Sequence, residues 1–523
     1  MNIKARLRKI LSFRKIVITI IITAAPVCNA QEKKLDQRYT VRMQNSSIGN
    51  VLNALTRKTG YNFTYDTDLV EPGRLTGIKM VDKPLKTILD TLFYDRLFAY
   101  SIIDNHIIIY QSLTKSTPQI KEEGKDPVYV IEGRISNAEN GDGLPYATIG
   151  VMSKGVGAVS NFEGKFNLKL GKHYVNDTLI ISHLGFTSRR VPVNQAINSN
   201  FNISLTRKFV PIPEVIIRNR EPHELILQVR KKIAENYGNT PSNMVAFYRE
   251  SVSKKDKILL YSEAVLELYK SSYAPTLLND QIKIYKSRKI NNLESSDTLT
   301  FKLKSGLDAC LTLDGVKNTF DFLKPASMDD YNYMMTDIVN IGNEAAFVIE
   351  FEQKDKIRDI ALPTGSIYIN TSNYGIHAIE FELNREYIDK FERNMIQRNA
   401  RGFKVKARSL EYRVNYRLIN DRFFLNHVRG DLKFYARKKN KLFGSTYNLF
   451  FEMAVNEIDT VNVQRFSREE RAPVHSVFTE TVNNYDQNFW GTDNFVKPEE
   501  SIKEALSRVS SKLSRFSSSN NSQ

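Results

Sequence analysis

The chain has 523 residues, 41% of them apolar and 25% charged, and a formal net charge of +17. One core seldom serves such a length, so several folded domains are expected. Beyond the N-terminus no stretch holds the ~18 uncharged apolar residues of a membrane helix, which excludes a later helical span. The first 15 residues, MNIKARLRKILSFRK, are basic and free of acids; an apolar run, IVITIIITAAPV, and small residues follow. That order predicts a signal peptide over 1–30, with Ala30 the last residue removed and Gln31 the first retained. An uncleaved anchor helix is the alternative; a lipoprotein is disfavoured because Val27 precedes Cys28. Cleavage would remove Lys4, Arg6, Arg8, Lys9, Arg14 and Lys15 and lower the net charge from +17 to +11. Cys310 would then be the sole thiol, so no internal disulfide is expected.

Residues 36–112 contain a duplicated unit. MQNSSIGNVLNALTRKTGYNFTYD, starting at Met43, is echoed by MVDKPLKTILDTLFYDRLFAYSII, starting at Met80. Ile48, Val51, Leu52 and Leu55 lie at helical spacing, as do Leu85, Ile88, Leu89 and Leu92. Ser46 or Ser47 suits an N-cap, Gly60 a helix stop, and Pro84 the first turn of the second helix. Each helix runs into an alternating strand, which predicts an α+β domain of two βαβ-type units. This cadence resembles the short N-terminal domain shared by secretins and TonB-dependent receptors. The resemblance implies a periplasmic domain that docks a partner protein and performs no chemistry.

A polar linker, 113–127, leads to residues 128–206, where the apolar period changes to two. Ile131, Gly133 and Ile135 share a face, as do Ala147, Ile149 and Val151, and Phe166, Leu168 and Leu170. SNFEGK reads as a hairpin turn, with Asn161 and Gly164 suited to left-handed φ. Short strands between turns predict a β-sandwich. The order EGRI, LPYATIGV, AVSNFEGKFNLKL, LIISHLGF resembles the carboxypeptidase regulatory-like domain, a prealbumin-like all-β sandwich. That resemblance implies an accessory module without catalysis. The two modules together resemble the front of TonB-dependent receptors of Bacteroidetes-type bacteria, but the residues after 207 are too few for a plug and large barrel.

Residues 219–505 open with a helix carrying Leu225, Val229, Ile233 and Tyr237, then alternate in long strands. In RSLEYRVNYRLIN, Leu410, Tyr412, Val414, Tyr416 and Leu418 form one face and Glu411, Arg413, Asn415 and Arg417 the other. These predict a large, mostly antiparallel β-meander whose charged face meets solvent. Between about 286 and 345 irregular insertions or short helices are expected. A small outer-membrane barrel is one alternative. Another is a curved sheet similar to the lipoprotein-carrier half-barrel, suggested by GSIYINTSNYGIHAIEFELN, although a filled core outweighs a ligand cavity. Phe489 and Trp490, beside Gly491, read as a lid or partner-binding pair. The tail 506–523 is expected to be disordered.

Chemistry is sparse. The seven histidines, His106, His173, His183, His223, His377, His427 and His475, include no zinc-type pair, so no metal and no cofactor is expected. Gly155-Val156-Gly157 lacks a third glycine, Ser251 to Lys254 matches Ser-x-x-Lys by composition alone, and Arg-Gly-Asp at 429–431 falls in a strand. The charges are dispersed, so no nucleic-acid partner is expected, while an anionic membrane surface remains open. The expectation is a non-enzymatic exported protein of the periplasm, associated with the outer membrane. It would dock envelope proteins through 36–112 in TonB-linked signalling or uptake. The alternatives are a carrier of an apolar ligand and, less favoured, a hydrolase.

Overall fold

The computed structural model describes residues 19–23, 37–65, 75–93, 98–103, 106–111, 128–197, 201–208, 221–255, 257–274, 276, 278–291, 300–304, 306–342, 344–390, 396–398, 403–474, 478, 493–500 and 502–503. Residues 25–125 form one compact unit and the rest of the chain a second.

β1 (Thr19–Thr23) belongs to the segment expected to leave with a leader. It is the middle of a three-stranded sheet, antiparallel to Thr300–Lys304 and parallel to Ile396–Arg398.

In the smaller unit β2 (Arg38–Ser47) leads into α1 (Ile48–Thr59) and β3 (Asn62–Tyr65). β4 (Leu75–Pro84), α2 (Leu85–Leu92) and β5 (Phe98–Ile103) repeat that order, and β6 (His106–Gln111) closes it. The duplication is visible in the pairing. β2 pairs with β4, while β3 and β5 flank β6 on either side. Ser47 caps α1 by accepting from the Asn50 amide, and Gly60 ends it at φ 76°. Pro84 stands one residue earlier than expected, as the cap of α2. Its fixed φ suits the extended entry, and its missing amide costs no helical bond there. Both apolar stripes are buried, each side chain worth about 1.5–3 kcal/mol, and they meet Val41, Ile78, Ile107 and Ile109 in one core.

The sandwich stacks two sheets. One has β7 (Val128–Asn137) between β10 (Lys165–Gly171) and β13 (Ile203–Leu205). The other runs β12 (Arg189–Pro192), β11 (Thr178–Ser182), β8 (Thr148–Val151), β9 (Gly157–Val159). Ile131, Ile135, Phe166 and Leu168 from the first interdigitate with Ala147, Ile149, Leu179 and Ile181 from the second. In the SNFEGK turn Gly164 takes φ 78°, and the Asn161 side chain accepts from the amides of Glu163 and Lys165.

The last region opens with α3 (Pro222–Lys231) and α4 (Ile233–Tyr237). Next come β14 (Ser242–Lys254), β15 (Lys257–Lys270), β16 (Gln281–Asn291) and β17 (Thr300–Lys304), the strand beside β1. α5 (Gly306–Thr312), α6 (Gly315–Asn318) and two 3-10 turns over 321–330 fill part of the interval expected to be irregular. That interval also contains a whole regular strand, β18 (Tyr331–Ile341), whose apolar residues are interrupted by polar ones. β19 (Glu344–Gln353), β20 (Pro363–Asn370), β21 (Ile376–Leu383), β22 (Ile396–Arg398), β23 (Phe403–Ile419), β24 (Arg422–Lys438) and β25 (Ser445–Asp459) complete the order.

Ten of these strands form one antiparallel sheet, ordered β16-β15-β14-β25-β24-β23-β21-β20-β19-β18. The sheet is open, with β16 and β18 at its two edges. α3 to α6 cover one face. Leu225, Ile226 and Val229, then Cys310, Phe320 and Phe322, share a core with Tyr248, Leu268, Phe347 and Phe451 of the strands. No described helix is long and apolar enough to cross a membrane.

Candidate functional site

The opposite face of the sheet departs from expectation. Strand alternation places Arg249, His427, Arg429 and Glu452 there, and a charged face was expected to meet water. Arg249, His427 and Glu452 are instead fully buried. The sandwich covers them. Tyr146 stacks on His427 with ring centroids 4.8 Å apart, and Val159 and Tyr146 join Phe247, Val265 and Ala454 in a small apolar cluster. Residues 493–500 strap the two modules together. Asn494 accepts from the Lys169 amide at 2.6 Å, and Asn456 donates to the Asn494 carbonyl at 2.9 Å. Lys497 reaches Glu132 at 3.0 Å, while the Glu500 amide donates to Glu163 at 2.8 Å.

Charge is compensated inside this interface. Arg249 Nε donates to Glu452 Oε2 at 2.6 Å and its Nη2 to Glu499 at 3.3 Å. His427 Nε2 lies 2.7 Å from Glu452 Oε1. Burial opposes ionisation of Glu452, yet Arg249, the His427 hydrogen bond and Arg429 together hold its carboxyl well below the usual range. Burial outweighs the pull of Glu452 and lowers the His427 pKa, and Nε2 is the ring nitrogen that faces the carboxylate.

Beside this network a cavity of about 770 Å³ opens between the sandwich and strands β18 to β21 and β23. Arg413 crosses its floor, pairing with Glu380 at 2.9 Å and lying 4.8 Å over the Tyr146 ring. Asn370 donates to Glu344 at 2.8 Å and contacts His377 Nε2 at 3.2 Å. Burial pushes His377 down to about 3, so this ring is uncharged at neutral pH. Burial outweighs the Leu184 and Pro145 carbonyls facing the two ring nitrogens of His183 and lowers its pKa. Arg417 donates to the Gly155 carbonyl at 3.0 Å, and burial pushes its guanidinium down to about 10. Gly157 leaves the space that the Arg417 guanidinium occupies, and Gly155 abuts the Ile458 carbonyl. The paired glycines therefore serve module packing. No described trio of His, Cys, Asp or Glu is arranged to hold a metal.

A second polar cluster joins β15 to α6. Lys270 lies 2.6 Å from Asp280 and 2.7 Å from Asp314, and Tyr273 and Tyr416 donate to Asp314 at 2.6 and 2.8 Å. These groups satisfy one another and fix the helices on the sheet.

Ala30, Gln31, Phe489 and Trp490 lie outside the described residues, as do the 113–127 linker and the 506–523 tail. Ser251 is buried in β14 and donates to the Leu260 carbonyl at 3.3 Å. Arg429 and Asp431 pair with each other at 2.7 Å within β24, so Arg-Gly-Asp there is a strand rather than a loop. Sequence reasoning missed Arg249, Glu452 and His427. Period two identified their face, but nothing local to them announces the sandwich that covers it.

Residues 131–217 match the CarboxypepD_reg-like domain family, in agreement with the sandwich. No curated protein matches the chain. Among solved structures, a LolA superfamily protein from Nitrosomonas europaea is 9% identical over 47% of this chain and 94% of its own, with a TM-score of 0.18. A putative outer membrane lipoprotein-sorting protein domain from Vibrio parahaemolyticus is 12% identical over 46% and 92%, with a TM-score of 0.19. MucB in complex with MucA(peri) is 7% identical over 45% and 94%, with a TM-score of 0.15. None of the three is close enough to lend this chain a function.

Proposed function

We propose that this chain is an exported envelope protein that acts by docking other proteins and carries out no catalysis. Residues 36–112 would be the docking arm and the sandwich joined to the large sheet the body that carries it. The observation that supports this most is the autonomy of the smaller unit. Among the described residues, its apolar core is built from residues 39 to 109, all within the unit. A self-sufficient module with its own core can be presented to a partner without disturbing the body. In the body, Arg249, His427 and Arg429 gather on Glu452 in ion pairs and hydrogen bonds, an arrangement suited to fixing two modules.

The carrier alternative gains nothing from the geometry. The apolar face that would hold an acyl chain is packed with Val229, Cys310 and Phe322, and the cavity on the other face mixes Glu344, Glu380 and Arg413 with Ile180, Phe186 and Leu418. In-cell cross-linking of the full chain beside a version lacking 36–112 tests the proposal. A specific envelope protein captured only by the full chain supports it; an unchanged captured set refutes it.

A further inference from the structure

Cations scattered along the sequence gather at one end of the ten-stranded sheet. The hairpin joining β24 to β25 reads ARKKNKLFGS, and no acid occurs from Leu432 to Phe451. Lys439, Lys441, Leu442 and Phe443 are exposed at its tip, the last two at 85% and 86%. Register places the start of β23 alongside, with Phe403 opposite Lys438 and Lys404 opposite Arg437. Lys404, Lys406 and Arg408 are exposed there, in a segment without acids from Arg393 to Leu410. On the other flank Lys254 pairs with Tyr447 and with Lys257, and the Lys255 amide donates to the Thr446 carbonyl, which brings three more lysines to this end. Five adjacent strands at ~4.8 Å spacing make this basic end about 20 Å wide. His427, beneath the sandwich, lies ten residues along β24 from Arg437, or roughly 33 Å of extended strand.

The apolar tip is held outward. Gly444 donates to the Tyr435 hydroxyl at 2.8 Å, Arg437 to the Lys441 carbonyl at 2.8 Å, and the Lys441 amide to the Lys438 carbonyl at 3.1 Å. Lys438 lies over the Phe403 ring and Arg408 over that of Tyr435. The pinned turn presents Leu442 and Phe443 to water with cations on both sides.

We infer that this end of the sheet docks on a bilayer containing anionic phospholipid, with Leu442 and Phe443 inserted at the headgroup boundary and the surrounding lysines and arginines on the headgroups. A bilayer alone matches both halves of the surface, offering negative charge to the cations and an apolar layer to the tip. A nucleic-acid backbone would leave the two apolar side chains in water. The inference stands apart from partner docking through 36–112, because none of its residues lies in that unit.

The test is flotation of the full chain with phosphatidylcholine vesicles, with and without phosphatidylglycerol, at low salt and at about 0.5 M salt. Binding is expected only to the anionic vesicles, weakening with salt. Leu442→Ser/Phe443→Ser should lower the affinity on the order of 100-fold, and Lys439→Glu/Lys441→Glu by at least about tenfold. All four side chains are exposed, so circular dichroism and Tm should match the parent chain. In Phe443→Trp, anionic vesicles should shift the emission to the blue by an amount absent in the parent, which carries Trp490. Failure of the parent chain to float overturns the inference, as does retained binding by both double variants. Equal binding to soluble polyglutamate without a blue shift overturns it in favour of an acidic protein partner. Loss of the 36–112 arm should leave flotation unchanged, so a failed flotation says nothing against partner docking, and a failed cross-link says nothing against the membrane surface.

Discussion

Arg249 Nε lies 2.6 Å from Glu452 Oε2 across β14 and β25, and neither side chain is exposed to solvent. Removing one partner strands a charge beneath the sandwich. Glu452→Gln or Arg249→Met should each cost about 3–5 kcal/mol in urea unfolding. A paired apolar replacement, Arg249→Met/Glu452→Leu, should recover much of that loss. Additive losses in the double variant would contradict the pairing.

Stability should fall on the acid side, with His377 contributing a defined window. Its folded-state value is about 3 against an ordinary 6.5. Above 6.5 the ring is neutral in both states and its full contribution is present. As pH falls from 6.5 toward 3 the unfolded chain binds a proton that the folded chain refuses, and on the order of 4–5 kcal/mol is lost. Thermal unfolding across that range should show a shallower decline for His377→Gln than for the parent chain. Glu452, held low, adds a further loss below about pH 4.5, its ordinary value.

Gly157→Ala should loosen the sandwich from the sheet. A Cβ there would meet the Arg417 guanidinium and stand 2.6 Å from the Ile149 carbonyl. The expected cost is about 1–3 kcal/mol. Arg417→Ala should restore only part of it, because the Ile149 backbone stays in place. A complete rescue in a double-mutant cycle would show that the backbone contact is relieved elsewhere.

Cys310 should resist thiol reagents in the native protein. It is fully buried on α5, and burial, with Glu250 and Glu452 nearby, pushes its thiol up. Labelling that tracks the urea transition is expected; rapid labelling without denaturant would place the helix layer in motion.

The two units should unfold separately. Leu52→Ala, in the core of the smaller unit, should lower one transition by about 2–5 kcal/mol and leave the other in place. A single merged transition that shifts as a whole would contradict independent cores.

The sequence was most legible where a residue's neighbours are local. The stripes Ile48–Leu55 and Leu85–Leu92 are buried as spaced, and in β23 Leu410, Tyr412, Val414 and Tyr416 turn toward the helix layer. It was least legible where a residue's surroundings come from far along the chain. Arg417 resembles any outward-facing strand cation, and its burial follows from glycines 260 or more positions away. The charged face around Glu452 alternates like a wet surface, because alternation separates two faces without saying what covers either. The basic end was equally invisible: in sequence its cations look dispersed, and register alone brings them together.

β14 and β25 are neighbours inside the sheet, and their buried pair joins residues 203 positions apart. Strands β14 to β16 therefore cannot find their inner neighbour until almost the whole chain is available. A chain passing through a membrane N-terminus first would hold three hydrophobic strands with an open edge throughout transit. Closing so distant a seam is slow, and an uncapped edge invites pairing with other chains. Productive maturation of this protein thus depends on how long that edge waits before β25 arrives to cover it.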